Sequence, residues 1–352
     1  LLLIVDEASG VTQSIFDAAE GALTGEHARL LLIGNPTQLA GEFYTAFKSP
    51  LYHKIHISYQ NTPNFTEGRV TRPYLITPAW VEEKRVQWHR FRGPGGGGVS
   101  LFTNIPTEWD GKTGKGIAWK SPVPLAGNNS PVVWNDRIFL SGATETKQEV
   151  YCYDAVSGRL LWTGDVPISP AVAAAELNPM EDTGRSASTM ATDGKRVFAV
   201  FANGDVAAFD MDGKPVWQKA LGKPENMYGH ASSPAIYQNL LIIQYDQGTE
   251  AEEGLSYLLA LDTTNGKTLW RTDRPVPNSW SSPIIVDTGK GAQIITCANP
   301  YVIAYAPGTG KELWRTSCLS GDVAPTPCYG NGLVFACQDG AGGFAIQPPQ
   351  DT

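Results

Sequence analysis

The hydrophobic pattern of the chain changes near residue 85. Before this point, two continuously apolar runs, residues 1–5 and 30–33, flank a segment whose apolar residues have near-helical spacing. Continuously apolar runs are typical of buried parallel strands, because a half-exposed strand alternates apolar and polar residues. Residues 1–85 therefore predict a small α/β unit with the plan of a nucleotide-binding core, in which ligands meet the carboxyl ends of the strands.

After residue 115 the pattern becomes a repeat of short β-rich runs. Four glycines are each followed four residues later by a tryptophan: Gly158/Trp162, Gly213/Trp217, Gly266/Trp270 and Gly310/Trp314. Five hydroxyl-bearing landmarks open the runs: Ser130, Ser188-Thr189, Ser233, Ser282 and Thr326. Each run predicts two strands, a third that enters the glycine turn and a fourth that carries the tryptophan, which together form one propeller blade. We expect the tryptophans to pack between neighbouring blades.

The number of blades follows from these landmarks. There are five strand-pair openings but four Gly/Trp turns, and no tryptophan strand follows the last unit at residues 343–346. The sequence therefore predicts a mainly β fold with about five four-stranded blades. A spare strand at residues 117–120 could complete the last blade and close a five-bladed ring. The favoured alternative is a truncated, open arc, whose two unpaired edges would promote aggregation.

Composition and charge narrow the class of protein. The chain has 352 residues, a net charge of −8, 18% charged residues and 10% aromatic residues, which fits a folded protein. Neither half has a basic stripe, so we do not expect nucleic acid as a partner of this chain alone. No apolar run reaches the roughly 18 residues that span a bilayer. The chain begins inside a predicted strand, without Met or the basic segment of a signal peptide, so we expect a fragment.

All five cysteines lie in the repeat region: Cys152, Cys297, Cys318, Cys328 and Cys337. They form no C-x-x-C pair and no spacing typical of a zinc site. We predict that they serve as buried, small apolar residues. A disulfide between Cys318 and Cys328 in an oxidising compartment is the open alternative.

Four segments before residue 85 carry a specific pattern: LLLIVDEA, RLLLIGNPTQLAGEFYTAF, HISYQNTPNFTEG and RPYLITPAWVEEKR. They resemble the ATPase domain of phage terminase large subunits, and the resemblance covers nearly all of residues 1–85. It implies that this unit is an α/β fragment of the P-loop ATPase type. It implies that Asp6 holds Mg²⁺ and that Glu7 polarises the attacking water. It also implies that Asn35 and Thr37 couple the state of the γ-phosphate to DNA movement.

The phosphate-binding loop G-x-x-x-x-G-K-[ST] does not occur in the chain. That loop supplies the backbone cradle and the lysine that hold the phosphates of ATP. The nuclease domain that the terminase family carries after this segment is missing as well. We therefore expect no ATPase activity from this chain alone, and Mg-ATP binding only where a missing P-loop is supplied. A DNA-packaging terminase ATPase is an alternative function.

A glycine-rich stretch follows the first unit. Residues 88–98 read WHRFRGPGGGG, and this composition predicts a flexible linker and lead-in over residues 86–115. No apolar strand precedes the glycines and no Lys-Ser/Thr follows them, so they do not fit a phosphate-binding loop. Together with IPTEWDGKTGKGIAWKSPVPL, the stretch resembles the lead-in of exported propellers with pyrroloquinoline-quinone-like repeats. The resemblance implies the periplasm, whereas the chain shows no signal peptide, so the localisation stays open.

The propeller region, residues 116–352, has two candidate functions. Quinoprotein dehydrogenases share the repeat, and that resemblance implies pyrroloquinoline quinone, a Ca²⁺ site and a disulfide between adjacent cysteines. No two cysteines are adjacent here and no acidic residues cluster densely, so we expect no cofactor. The other candidate is a non-catalytic binding module, like the propellers of outer-membrane assembly lipoproteins, that presents one face to a protein or a small ligand.

Five residues precede the predicted inner strands and are expected to approach the central channel: Asn128, Asn129, His230, Trp280 and Asp322. His230 is the only histidine of the blades and a candidate base or ligand, although a histidine without a partner more often has a structural role. The leading hypothesis is a propeller scaffold joined to a vestigial ATPase segment. The fusion is either biological or a chimeric join of two genes.

Overall fold

The computed structural model divides the chain into two compact units, Leu1–Lys84 and Arg85–Thr352. The structure describes the following residues: 2–5, 29–32, 45, 87–100, 107–170, 177, 179–289 and 291–349. Most of the first unit lies outside these ranges. The second unit is described almost throughout.

The first unit contains two described strands. β1 (Leu2–Val5) pairs in parallel with β2 (Arg29–Leu32), so the two predicted apolar strands are present and adjacent. The predicted helix between them lies outside the described residues. The same holds for the ATPase-type residues: Asp6, Glu7, Asn35 and Thr37. The α/β fold of this unit therefore stays a prediction.

The second unit is a series of antiparallel sheets in chain order, which confirms the predicted mainly β propeller fold. Blade 1 holds β3 (Gln87–Trp88), β4 (Val132–Trp134), β5 (Arg137–Ala143), β6 (Gln148–Asp154) and β7 (Leu160–Asp165). Blade 2 holds β8 (Ala191–Thr192), β9 (Arg196–Val200), β10 (Asp205–Asp210) and β11 (Pro215–Ala220). Blade 3 holds β12 (Ala235–Tyr237), β13 (Leu240–Tyr245), β14 (Tyr257–Asp262) and β15 (Thr268–Asp273). Blade 4 holds β16 (Ile284–Asp287), β17 (Ala292–Ala298), β18 (Tyr301–Tyr305) and β19 (Glu312–Ser317), and blade 5 holds β20 (Cys328–Gly330), β21 (Leu333–Gln338) and β22 (Gly342–Ile346).

In blades 1 to 4, strands β4, β8, β12 and β16 lie near the propeller axis. In blade 1 the short strand β3 pairs with the inner edge of β4. β4, β8, β12 and β16 contact one another in sequence, whereas the tryptophan strands lie at the outer end of each sheet. The hydrophobic core is divided into clusters between neighbouring blades, and each cluster takes its residues from two successive blades. The core therefore stabilises the stacking of blades, as expected for a repeat fold in which one sheet alone cannot bury its faces.

The tryptophans pack between blades as predicted. The indole N–H of Trp217 in blade 2 donates to the Thr263 carbonyl of blade 3 at 3.0 Å. Its ring lies against Gly266, which has φ +71° and where an added Cβ would come within 2.7 Å of the ring. Glycine is required here by both the left-handed backbone and the close approach of the ring. Equivalent indole hydrogen bonds are donated by Trp162 and Trp270.

Trp119 reproduces this contact at the beginning of the propeller. Its indole N–H donates to the Ala155 carbonyl at 3.1 Å, and its ring packs on Gly158. Residues 117–120 are nevertheless not a strand, and the sheet of blade 5 contains three described strands. Within the described residues the segment therefore covers blade 1 without completing blade 5, so the five-bladed closure does not form.

One face of the blade 5 sheet is not covered by another described sheet. Phe335 occupies the same place in the second strand as Phe139, Phe198, Ile242 and Ile295 do in blades 1 to 4. Those four side chains are 0% exposed, whereas Phe335 is 39% exposed. The difference arises because no further described sheet packs on this face of blade 5, in agreement with the predicted open arc.

All five cysteines are free thiols. Cys152 and Cys297 are buried, in agreement with the prediction, while Cys318 and Cys328 are half-buried and Cys337 is exposed. The alternative disulfide between Cys318 and Cys328 is not formed. In the described part of the chain, no helix has the length and apolar character needed to cross a bilayer.

Candidate functional site

Hydroxyl side chains join neighbouring blades at the propeller axis. The residues that open the blades form a series of hydrogen bonds, in which each backbone N–H donates to the side-chain oxygen of the next blade: Ser130 to Thr189 at 2.9 Å, Thr189 to Ser233 at 3.0 Å, Ser233 to Ser282 at 2.9 Å and Ser282 to Thr326 at 3.4 Å. We call these five residues the hydroxyl belt. The landmarks found in the sequence thus mark an inter-blade contact as well as the start of each blade.

The hydroxyl belt lines a cavity of about 340 Å³ on the axis, here called the axial cavity. All five belt residues contribute to it, and Phe91, Arg92, Asn128 and Trp280 form much of the remaining wall. Among the described lining residues, Arg92 carries the only ionisable side chain. The cavity is therefore a polar, hydroxyl-rich space with one guanidinium group and two aromatic walls.

The wall that contains Phe91 and Arg92 belongs to residues 87–98, here called the axial segment. β3 pairs with β4 through Trp88 and Val133. The backbone N–H of Thr192 donates to the His89 carbonyl at 2.9 Å, and the Arg90 guanidinium donates to the Pro283 carbonyl. The axial segment is thus held by blades 1, 2 and 4.

The glycine run of the axial segment differs from the flexible linker that its composition predicts. Residues 94–96 form a 3-10 turn, and the N–H of Gly98 donates to the Arg92 carbonyl at 2.8 Å. Gly96 has φ +71° and lies so close to Ile284 that an added Cβ would be 2.6 Å from its Cγ2. Here glycine permits close approach to an inner strand, which the composition alone does not distinguish from flexibility.

Two of the five predicted channel residues, Asn128 and Trp280, line the axial cavity. The Asn128 amide donates to the carbonyls of Asp182 and Thr183 at 2.7 and 3.0 Å. The Trp280 indole N–H donates to the Asn226 amide oxygen at 3.0 Å. Both side chains are therefore fixed in position by neighbouring loops.

Asn129 and Asp322 lie outside the lining of the axial cavity. The Asn129 amide donates to the carbonyls of Ser141 and Ser186 at 2.7 and 2.9 Å, and so ties blade 1 to blade 2. Asp322 takes part through its backbone carbonyl, which accepts a hydrogen bond from the Gln338 amide at 3.0 Å. These contacts give both residues a structural role.

His230 is buried next to the cavity wall and does not line it. Its ring is stacked on Tyr245, with centroids 5.0 Å apart and an interplanar angle of 16°. Burial lowers the pKa of His230 from 6.5 to about 4, so the ring is neutral at physiological pH. Its Nε2 has no hydrogen-bond partner among the described residues. Because the ring does not line the axial cavity, it does not contact a ligand there directly.

A buried ion pair within blade 3, at its interface with blade 4, was not predicted from the sequence. Arg274 donates to both carboxylate oxygens of Asp246 at 2.7 and 3.1 Å, and both side chains are 0% exposed. Arg274 also donates to Thr296 Oγ1 at 2.6 Å. Burial lowers the pKa of Arg274, but the Asp246 carboxylate outweighs this effect and raises the pKa above its ordinary value. Asp246 follows a buried strand like many turn residues, so the sequence carries no signal for the pair.

The donor set of the axial cavity does not fit a Ca²⁺-dependent quinone site. Protein Ca²⁺ sites need several oxygen ligands that include carboxylates. The described lining contains no carboxylate, and no cluster of three or more His, Cys, Asp or Glu residues occurs anywhere in the described part of the chain. Nor does the lining hold a histidine, cysteine or carboxylate that could act as a general base.

Comparison with known proteins supports both resemblances found in the sequence. A family model for outer membrane protein assembly factor BamB matches residues 103–256 and 254–347. The BamB protein of Kangiella koreensis is 28% identical over 141 residues, which are 38% of this chain and 32% of that protein. The probable terminase large subunit of Enterobacteria phage P7 is 52% identical over 57 residues, which are 16% of this chain and 10% of that protein. The chain thus covers a third or less of the length of either relative.

Solved structures share the propeller fold. A europium-containing methanol dehydrogenase superposes with a TM-score of 0.51 at 15% identity, covering 73% of this chain and 53% of that chain. BamB from Moraxella catarrhalis superposes with a TM-score of 0.43 at 16% identity, covering 62% of this chain and 60% of that chain. At 15% sequence identity, the similarity to the methanol dehydrogenase shows a shared fold and nothing more.

Proposed function

We propose that this chain, which belongs to the family of outer membrane protein assembly factor BamB, is a non-catalytic propeller scaffold that binds extended protein segments during outer-membrane protein assembly. The observation that carries the non-catalytic part is the composition of the axial cavity. Its described lining offers hydroxyl groups, an amide and one guanidinium, but no pair of groups for acid–base or nucleophilic chemistry. Binding is the function that such a lining supports.

The outer strands of the blades supply a surface for protein segments. The residue before the tryptophan is apolar and exposed in three successive blades: Leu161 is 37%, Val216 is 42% and Leu269 is 49% exposed. We call these three residues the outer row. Exposed apolar side chains that recur at one structural position favour a binding surface over chance exposure.

The strands that carry the outer row also offer backbone hydrogen bonds. β7, β11 and β15 are the last strands of their sheets, so their outer edges have no strand partner among the described residues. An extended peptide can add to such an edge, with main-chain hydrogen bonds for affinity and side-chain contacts for specificity. Outer-membrane proteins consist of strands with alternating apolar and polar residues. A segment of that kind fits both the edge and the outer row.

The test is a binding titration with a fluorescent peptide that reproduces one strand of an outer-membrane β-barrel. We expect saturable binding to the full chain, and at least about tenfold weaker binding after Leu161→Ser, Val216→Ser and Leu269→Ser are combined, because apolar contact area is lost. Val156→Ser is the matched control, since Val156 is 82% exposed but lies in a turn outside the outer row. Absence of binding, or equal affinity in the triple variant and the control, would contradict the proposal.

Quinone-dependent oxidation is not proposed, because the described lining does not offer the ligands that Ca²⁺ requires. Titration with pyrroloquinoline quinone and Ca²⁺ tests this point, and we expect neither an absorbance change nor dye reduction.

The terminase-like segment is proposed to have no part in the scaffold function. The 352 residues contain no phosphate-binding loop, so they do not themselves supply the cradle for the phosphates of a nucleotide. Mg-ATP affinity that is lost on Asp6→Ala would overturn this view. A single sequencing read across codons 80–95 would show whether the two segments belong to one gene.

A further inference from the structure

We propose that the axial cavity binds a small oxyanion, a phosphate or a carboxylate, between the Arg92 guanidinium and the hydroxyl belt. This site lies at the propeller axis and is separate from the outer row. It therefore goes beyond the proposed function and stands on different residues. Four observations carry it: the hydrogen-bond state of the belt, the unpaired charge of the axial segment, the conformation of Arg92 and the chemistry of the walls.

The first observation is that the hydroxyl belt has protons to donate. The side-chain oxygens of Thr189, Ser233 and Ser282 each accept a backbone N–H from the preceding blade. A hydroxyl group has a single proton in addition to its acceptor lone pairs. Within the described residues, none of these three protons has an acceptor. Because the three residues line the axial cavity, their O–H groups are free to donate to a ligand there.

The second observation is unpaired positive charge in the axial segment. Arg92 lines the cavity and forms no ion pair within the described part of the chain. Arg90 is 3% exposed and bonds to the neutral Pro283 carbonyl, while its Nε has no partner. Burial lowers the pKa of Arg90 to about 10, which reflects the cost of a guanidinium without a carboxylate nearby. Arg90 does not line the cavity, so Arg92 is the charge that a ligand there would meet.

The third observation is the backbone of Arg92. Its φ is 60°, a left-handed conformation that non-glycine residues rarely adopt. The hydrogen bond from the Gly98 N–H to the Arg92 carbonyl holds the conformation. Such backbone strain is concentrated at functional positions, because the surrounding structure must impose it. Here it places an arginine, rather than a glycine, at the cavity wall.

The fourth observation is that the wall chemistry selects an anion. The described lining contains no carboxylate, so it has no group to attract a cation. A guanidinium presents its N–H donors in a planar fork that matches the two oxygens of a carboxylate or phosphate. The hydroxyl groups of the belt add further donors in the same cavity. Phe91 and Trp280 add apolar walls to the same cavity.

The experiment is isothermal titration calorimetry of the full chain with sodium phosphate and, separately, with sodium acetate at constant ionic strength. Saturable heat with phosphate alone assigns a phosphate site, and saturable heat with acetate alone assigns a carboxylate site. Saturation with both supports a general oxyanion site. Absence of saturable binding with either anion overturns the proposal.

Variants locate the binding. We expect Arg92→Gln to weaken binding by about tenfold or more, because it removes a charge-assisted pair of hydrogen bonds. Arg92→Lys keeps the charge without the planar fork and is expected to bind with intermediate affinity. Arg271→Gln is the control, because Arg271 pairs with Asp273 on an exposed outer strand. Circular dichroism checks that each variant is folded, and equal affinity in Arg92→Gln and the control would refute the assignment.

Discussion

The backbone N–H of Thr189 donates to the hydroxyl oxygen of Ser233 at 3.0 Å and so joins blade 2 to blade 3 at the propeller axis. At the outer end of the same two blades, the Trp217 indole N–H donates to the Thr263 carbonyl at 3.0 Å. Neighbouring blades are therefore fixed at two distances from the axis. This pairing explains why both the hydroxyl landmarks and the Gly/Trp turns recur in the sequence with the period of the blades.

Replacement of Ser233 tests the inner contact. Ser233→Ala removes the acceptor and leaves the buried Thr189 N–H without a partner, which is expected to lower the free energy of unfolding by about 1–3 kcal/mol. Ser233→Thr keeps the hydroxyl, as Thr189 and Thr326 do at the same position, and should lose much less. Urea unfolding followed by tryptophan fluorescence measures both changes. Ser320→Ala is the exposed control, and a similar loss for Ser233→Ala and the control would contradict the inferred role of the belt.

Replacement of Gly266 tests the outer contact. Gly266→Ala places a Cβ 2.7 Å from the Trp217 ring and also forces an L-residue to φ +71°. Gly332→Ala is the matched control, because Gly332 has φ +79° and no atom within 4 Å of an added Cβ. The control should cost about 1–2 kcal/mol from its backbone conformation alone. We expect Gly266→Ala to cost at least about 1 kcal/mol more, since the ring must move. Equal losses in urea unfolding would show that the ring contact contributes nothing.

The repeat could be predicted from the sequence because its signals are local. Each blade combines a hydroxyl landmark, two strand-forming runs and a Gly/Trp turn within a few tens of residues, and strand pairing follows chain order. The positions of Asn128 and Trp280 at the axial cavity could be predicted because residues that directly precede an inner strand approach the axis. Asn129 was placed there too, but successive residues of an extended chain point to opposite sides, so it contacts blades 1 and 2 instead.

The remaining features depend on contacts that the sequence does not encode locally. Arg92 and the glycines after it have the composition of a linker, and only the inner strands around them determine that they pack. Asp246 and Arg274 are 28 positions apart and meet where blade 3 packs on blade 4. Both belong to blade 3, where Asp246 follows β13 and Arg274 follows β15, so their pairing depends on how the strands of that sheet are arranged, which no short motif specifies. The sequence therefore predicts the blades well and the axial cavity in part.

The buried ion pair gives a third prediction. Asp246→Asn leaves the fully buried Arg274 without a counter-charge and is expected to destabilise the fold by about 3–5 kcal/mol. Asp273→Asn serves as the control, because Asp273 and its partner Arg271 are 77% and 50% exposed, and should cost less than about 1 kcal/mol. Chemical unfolding of both variants gives the comparison. The combined Asp246→Leu and Arg274→Met change should recover part of the loss, and a small effect of Asp246→Asn would argue against the pair.

The buried histidine gives a prediction for the pH dependence of stability. Burial lowers the folded-state pKa of His230 to about 4, below its ordinary value of 6.5. Between these two pH values the unfolded chain binds a proton that the folded chain does not, so a lower pH favours unfolding. The stability that the neutral His230 contributes is therefore complete above pH 6.5 and is lost as the pH falls towards 4. His230 alone should lower the free energy of unfolding by about 1.4 kcal/mol for each pH unit of acidification in this window. His230→Phe keeps a ring next to Tyr245 and removes the titrating group. Urea unfolding at several pH values should therefore give a smaller slope for His230→Phe than for the wild type. The half-buried His89, whose pKa is also lowered to about 4, would account for the slope that remains. An unchanged slope in His230→Phe would mean that His230 is protonated in the folded chain.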